Sequence, residues 1–93
     1  MSDVLLRTVV PVEGIGLVVV ETVDFTQPGY EVCGHETVTS LPDGRSFSCG
    51  PDNGETPAEL HAAEVADLAT NILWVYGTDA DRARIARDRY GLE

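Results

Sequence analysis

The sequence predicts a single α+β domain, and three observations carry that expectation. Two stretches near the start, Val4 to Val12 and Leu17 to Val23, are dense in β-branched and aliphatic residues. Gly- and Pro-containing turns punctuate the first half. The second half opens with a strong helix-start signal and carries helical periodicity to its end. A chain of 93 residues suits one domain rather than two. Residues 1–49 read as β-rich, 56–76 as one long helix and 79–90 as a short Arg-rich helix.

In order along the chain, Glu13-Gly14 fits a two-residue hairpin turn, because Gly accepts positive φ without steric cost. Closing there sets Val10 opposite Leu17, Thr8 opposite Val19 and Val4 opposite Val23. Pro11 donates no ladder hydrogen bond, which assigns the first strand to a sheet edge. Leu17-Val18-Val19-Val20 is apolar on both faces and therefore reads as a central strand. Gln27-Pro28-Gly29 is a turn by composition. A third strand is expected over 30–40, bent at Gly34. Pro42-Asp43-Gly44 then turns the chain into a fourth, short strand over 46–49. The Ser and Thr content of this second hairpin predicts that one face meets water.

Thr56, Pro57 and Glu59 form the sharpest local signal. Thr56 is an N-cap, Pro57 sits at the first helical position and Glu59 completes a capping box. The long helix should end at Gly77 in a positive-φ conformation, and a second cap follows at Thr78 or Asp79. The expected architecture is ββββαα: a four-stranded antiparallel sheet of two hairpins, one long helix packed on a sheet face, and a short C-terminal helix. At 100° per residue, His61, Val65, Leu68, Ile72 and Val75 form a stripe. Flanked by Ala58, Ala62, Ala66 and Ala69, it is expected to face the sheet. Leu60, Glu64, Asp67, Asn71 and Trp74 fall on the opposite side and form the candidate partner-binding surface. Trp is the residue most enriched at interface hot spots. The competing expectation is that the final helix folds back over Trp74 through Ala83, Ile85, Ala86 and Tyr90.

The charge bounds the partners. Sixteen acids oppose six basic residues, all Arg, for a net charge of −10, and four of the six arginines fall within 82–93. Such a body repels nucleic-acid phosphates and anionic membranes, so direct binding to either is not expected. A protein with a basic surface is the expected partner, with salt-sensitive association. A homodimer, acidic body against basic C-terminal end, is the self-association reading. The sharper version of the partner reading is a nucleic-acid-mimicking inhibitor. Small acidic anti-restriction or anti-CRISPR proteins of phages and mobile elements act in that way as a class. Neither a basic leader with an apolar run nor a stretch of roughly 20 apolar residues is present. With two cysteines besides, the expectation is a soluble protein in a reducing cytoplasm.

Cys33, His35, Cys49 and His61 are every cysteine and histidine in the chain. Two thiolates and two imidazoles make a complete tetrahedral zinc set. The gaps between them depart from the close ligand pairs of structural zinc sites. The alternative function is accordingly a zinc-stabilised structural or adaptor module; otherwise no cofactor is expected. No nucleophile motif, no Lys-bearing phosphate loop and no calcium-loop spacing is present. The expectation is a non-catalytic binding module.

Overall fold

A computed structural model describes residues 3–24, 34–51 and 55–91. Four strands run in the order β1 (Asp3–Val12), β2 (Gly16–Asp24), β3 (His35–Ser40) and β4 (Ser46–Cys49). All pairs are antiparallel, and neighbours in sequence are neighbours in the sheet. Three helices follow: α1 (Pro57–Ala66), α2 (Leu68–Tyr76) and α3 (Asp79–Tyr90). The expected α+β class and its sheet are present, but the long helix over 56–76 is two helices. The Gln27-Pro28-Gly29 turn and the start of the expected third strand, 30–33, lie outside the described residues.

The division falls at Asp67, whose backbone leaves helical geometry at φ −102°, ψ 17°. Asp competes with the helix through local hydrogen bonding and is a weak helix former. Its carboxylate is held from outside by Arg89 of α3, Nη2 to Oδ2 at 2.9 Å. The break is small enough that the Asn71 amide still donates to the Asp67 carbonyl at 2.9 Å.

The β1–β2 register is one residue from the expected one. The loop has three residues, Glu13 to Ile15, closed by the Ile15 amide donating to the Val12 carbonyl at 3.1 Å. Gly14 has φ 79° and Gly16 φ 116°, and a Cβ on Gly16 would lie 3.2 Å from Pro42 Cγ. Val10 therefore pairs with Val18, and Thr8 with Val20. Leu5 is an extra residue between Val4 and Leu6, and this bulge returns the ladder to the expected Val4–Val23 pair. β1 is an edge strand, as Pro11 requires, and β2 is internal.

The helices cover one sheet face only. Val18, Val20 and Thr22 are fully buried beneath them, with Thr37 and Thr39 beside them on β3. Val18, Val20, Leu41, Leu68 and Ile72 form the main core, edged by Val10, Val12, Phe47, Val65 and Tyr76. The helical face against the sheet is not the alanine side. Leu60, His61, Glu64, Leu68 and Ile72 are buried, whereas Ala58, Ala62, Ala66 and Ala69 are exposed and Val75 is 39% exposed. The buried arc is thus rotated toward Leu60 and Glu64. Leu60 consequently leaves the candidate partner surface, because its isobutyl group gains more by filling the sheet–helix gap than by meeting water.

Both capping boxes form. Thr56 Oγ1 accepts from the Glu59 amide at 3.2 Å and Glu59 Oε1 accepts from the Thr56 amide at 3.1 Å; Thr78 and Asp81 repeat the arrangement. The Thr56 and Thr78 amides hold the Glu59 and Asp81 carboxyls below their ordinary pKa values. Gly77, by contrast, ends α2 at φ −79° rather than in the expected left-handed region. Glycine is required there for space: an added Cβ would collide with the Leu73 carbonyl oxygen and sit 2.8 Å from Asp81 Oδ2.

Thr39 is fully buried, and among the described residues its Oγ1 has no hydrogen-bond partner. An unsatisfied buried hydroxyl costs about 1–3 kcal/mol, and valine has the same shape without it. Thr39→Val is therefore expected to raise stability by about 1 kcal/mol, read as a higher urea midpoint at unchanged slope.

Candidate functional site

Among the described residues, the fold leaves two surfaces open that bear on a candidate site. The first is the outer face of the sheet. Side chains alternate along each strand, so with Val18, Val20 and Thr22 inward, Leu17, Val19, Glu21 and Val23 point outward. The ladder places Val4, Arg7 and Val9 of β1 and Glu36 and Val38 of β3 on that same side. Leu17 is 61% exposed, Val4 54% and Val9 47%. The charges on this face are a long Arg7–Glu21 pair at 4.0 Å, together with Glu36. The sequence signal for it is the two-sided apolar character of β2, which predicts central placement. Central placement is correct, yet no described element covers the outer side.

The second surface is a shallow groove of about 180 Å³ between β4 and the α1–α2 pair. Glu64, Asn71 and Trp74 line it from the helices and Phe47 and Cys49 from β4. Tyr76 fixes this junction: its hydroxyl donates to the Ser46 carbonyl at 2.8 Å, and its ring meets Phe47 edge-on at 6.1 Å. The Arg45 guanidinium lies 4.5 Å from the centre of the Tyr76 ring. Asn71 Nδ2 donates to Glu64 Oε2 at 3.1 Å, across seven residues and the Asp67 break.

Of the five residues assigned to a partner surface, Glu64, Asn71 and Trp74 converge on the groove. Leu60 is in the core. Asp67 is exposed but turned to Arg89, away from these three. Trp74 is 46% exposed. α3 folds back without covering it: Ile85 is buried, and it faces Asp67 and Thr70. Arg82 instead binds the backbone at the end of α2, its Nε donating to the Trp74 carbonyl at 2.8 Å. Phe47 and Cys49 were not foreseen as groove residues. Only the tertiary pairing of β4 with the helices places them there.

The zinc candidates separate differently. Cys33 lies outside the described residues. His61 is buried with Nε2 2.8 Å from Thr8 Oγ1 and Nδ1 2.9 Å from Thr22 Oγ1. His35 Nε2 donates to the Glu55 carbonyl at 2.9 Å, and the Cys49 thiol donates to the Gly50 carbonyl at 3.5 Å. Metal coordination by His61 would require it to surrender a threonine. Among the described residues, no three His, Cys, Asp or Glu side chains are grouped to hold a metal ion.

Five arginines pair with the chain's own carboxylates: Arg7 with Glu21, Arg45 with Asp43, Arg82 with Asp79, Arg84 with Asp81 and Arg89 with Asp67. Among the described residues, Arg87 alone forms no ion pair. The anionic surplus consequently rests on the other carboxylates. They are spread from the Glu13 hairpin tip through Glu36 on the open face to Asp88 on α3. Among the described residues, no helix is long and apolar enough to cross a membrane. Compared with known proteins, the chain matches no family model, no curated sequence and no solved structure.

Proposed function

We propose that this chain is a non-catalytic protein-binding module that acts stoichiometrically on a partner with a basic surface. The observation that carries the proposal is the outer face of the sheet, which no described element covers and where Val4, Val9 and Leu17 are each about half exposed or more. Exposed large apolar side chains gathered on one face, here to either side of the Arg7–Glu21 pair, are characteristic of interaction sites. The net charge of −10 selects a cationic partner and accelerates encounter with it. The groove at Trp74 offers a second, smaller contact.

The test is capture on the immobilised chain from a lysate of the native host, followed by binding of the purified partner. Binding is expected to weaken steeply with added salt, since screening shortens to about 3 Å at 1 M. The double variant Val9→Thr, Leu17→Thr places β-branched residues, which favour strands, at both positions and should fold normally. It is expected to lose most of the affinity. A partner that binds this variant at full strength, or that ignores salt, would overturn the proposal.

A further inference from the structure

Glu64 is an unusual residue to find beneath a groove. It is 9% exposed, and its carboxylate accepts one hydrogen bond, from the neutral Asn71 amide. No cation lies within ion-pair distance of it among the described residues, although five arginines are bound to other carboxylates. A carboxylate offers about four acceptor positions, so most of this one's capacity is unused. Burial without a countercharge is costly, and a cation entering the site would offset that cost. The walls are largely apolar: Phe47, Trp74 and Val75 line the same groove as Glu64, with Cys49 beside them. Such surroundings strengthen an ionic contact relative to open water.

We infer that this groove takes an arginine side chain of the protein partner, with the guanidinium bound by Glu64 and stacked on Trp74. The inference rests on the protein-binding proposal and names the chemistry at one contact. Guanidinium fits the arrangement better than ammonium. It is planar, it bonds a carboxylate through two parallel N–H groups, it is less strongly hydrated and it stacks on indole. Asn71 stands between the two contacts: it holds Glu64 and sits one helical turn before Trp74 on α2. The groove's size admits one long side chain rather than a helix or a strand. The overall negative charge draws the same class of partner toward it.

The chain contains a single Trp, so indole signals report this groove alone. The probe is acetyl-Gly-Arg-Gly-amide, titrated into the ¹⁵N-labelled chain beside its lysine and citrulline counterparts. The Arg peptide should shift the Trp74 indole and Asn71 side-chain amide signals saturably. The Lys peptide should bind several-fold more weakly and the uncharged citrulline peptide should leave both signals unmoved. Glu64→Gln, the same shape without charge, should reduce Arg-peptide affinity at least about tenfold, which corresponds to about 1.4 kcal/mol. Glu13→Gln, at the hairpin tip, should leave it unchanged. Equal binding of Arg and Lys peptides, or full affinity in Glu64→Gln, would sink the inference. A dimer in solution that Arg87→Ala and Glu64→Gln both dissociate would also overturn it, by seating this chain's own arginine in the groove. If the purified partner binds Glu64→Gln normally but not Val9→Thr, Leu17→Thr, the groove assignment fails while the protein-binding proposal stands.

Discussion

Leu60→Ala is expected to destabilise the domain by about 3 kcal/mol, a large share of the 5–15 kcal/mol that holds most domains together. Leu60 is 2% exposed, lodged where α1 crosses the sheet and flanked by the buried His61 and Glu64. Truncation removes its transfer free energy and leaves a cavity that strands and helix on either side cannot close. Thermal melting should fall by roughly 12–24 °C. Trp74→Ala makes the informative comparison. Helical periodicity puts both residues on one outward face, and an outward Leu60 would cost little on truncation. Because Trp74 is 46% exposed, its loss should cost under about 1 kcal/mol while weakening partner binding. Circular dichroism through a urea titration measures both variants, since it does not depend on the indole. Comparable stability losses from the two substitutions would contradict the packing described above.

The contrast between these two residues marks how far the sequence could be read. Signals whose physics is local were legible. The Thr56-Pro57-Glu59 box, the Thr78 cap and the Pro42-Asp43-Gly44 turn depend on groups within four residues of one another. Register was less legible, because Gly14 and Gly16 both accept positive φ and only the Pro42 contact and the longer loop choose between closures. A helical wheel sorts residues by hydrophobicity, so it sends Glu64 to solvent and alanines to the core. It has no means of knowing that Asn71 waits for Glu64, or that Thr8 and Thr22 receive His61. It also assumes a continuous helix, and Asp67 interrupts this one. Glu64, Asn71 and Trp74 were recognisable as one surface because their spacing survives that interruption. Phe47 and Cys49 were not, because they reach the groove from a strand 15 to 27 residues away in sequence.

Thr22→Val should cost about 2 kcal/mol, although it removes no volume and creates no strain. Thr22 is fully buried, and its Oγ1 lies 2.6 Å from Thr37 Oγ1 and 2.9 Å from His61 Nδ1. Without that oxygen, the hydroxyl of Thr37, 1% exposed, and a nitrogen of His61, 8% exposed, are left in the interior with no replacement. The penalty comes from those stranded groups rather than from the bond itself, which in isolation is worth only about 1 kcal/mol. It follows that Thr22→Val, Thr37→Val should be more stable than Thr22→Val alone, since the second substitution removes one of the stranded hydroxyls. It also follows that the same chemical change has opposite signs at two positions on one buried sheet face. Thr39→Val deletes a hydroxyl that satisfies nothing among the described residues and should stabilise, whereas Thr22→Val deletes one that satisfies two groups. Hydrophobicity alone predicts stabilisation at both sites. Urea midpoints for the three variants separate the accounts, and a gain in stability from Thr22→Val would show that the Thr8–His61–Thr22–Thr37 chain does not tie α1 to the sheet.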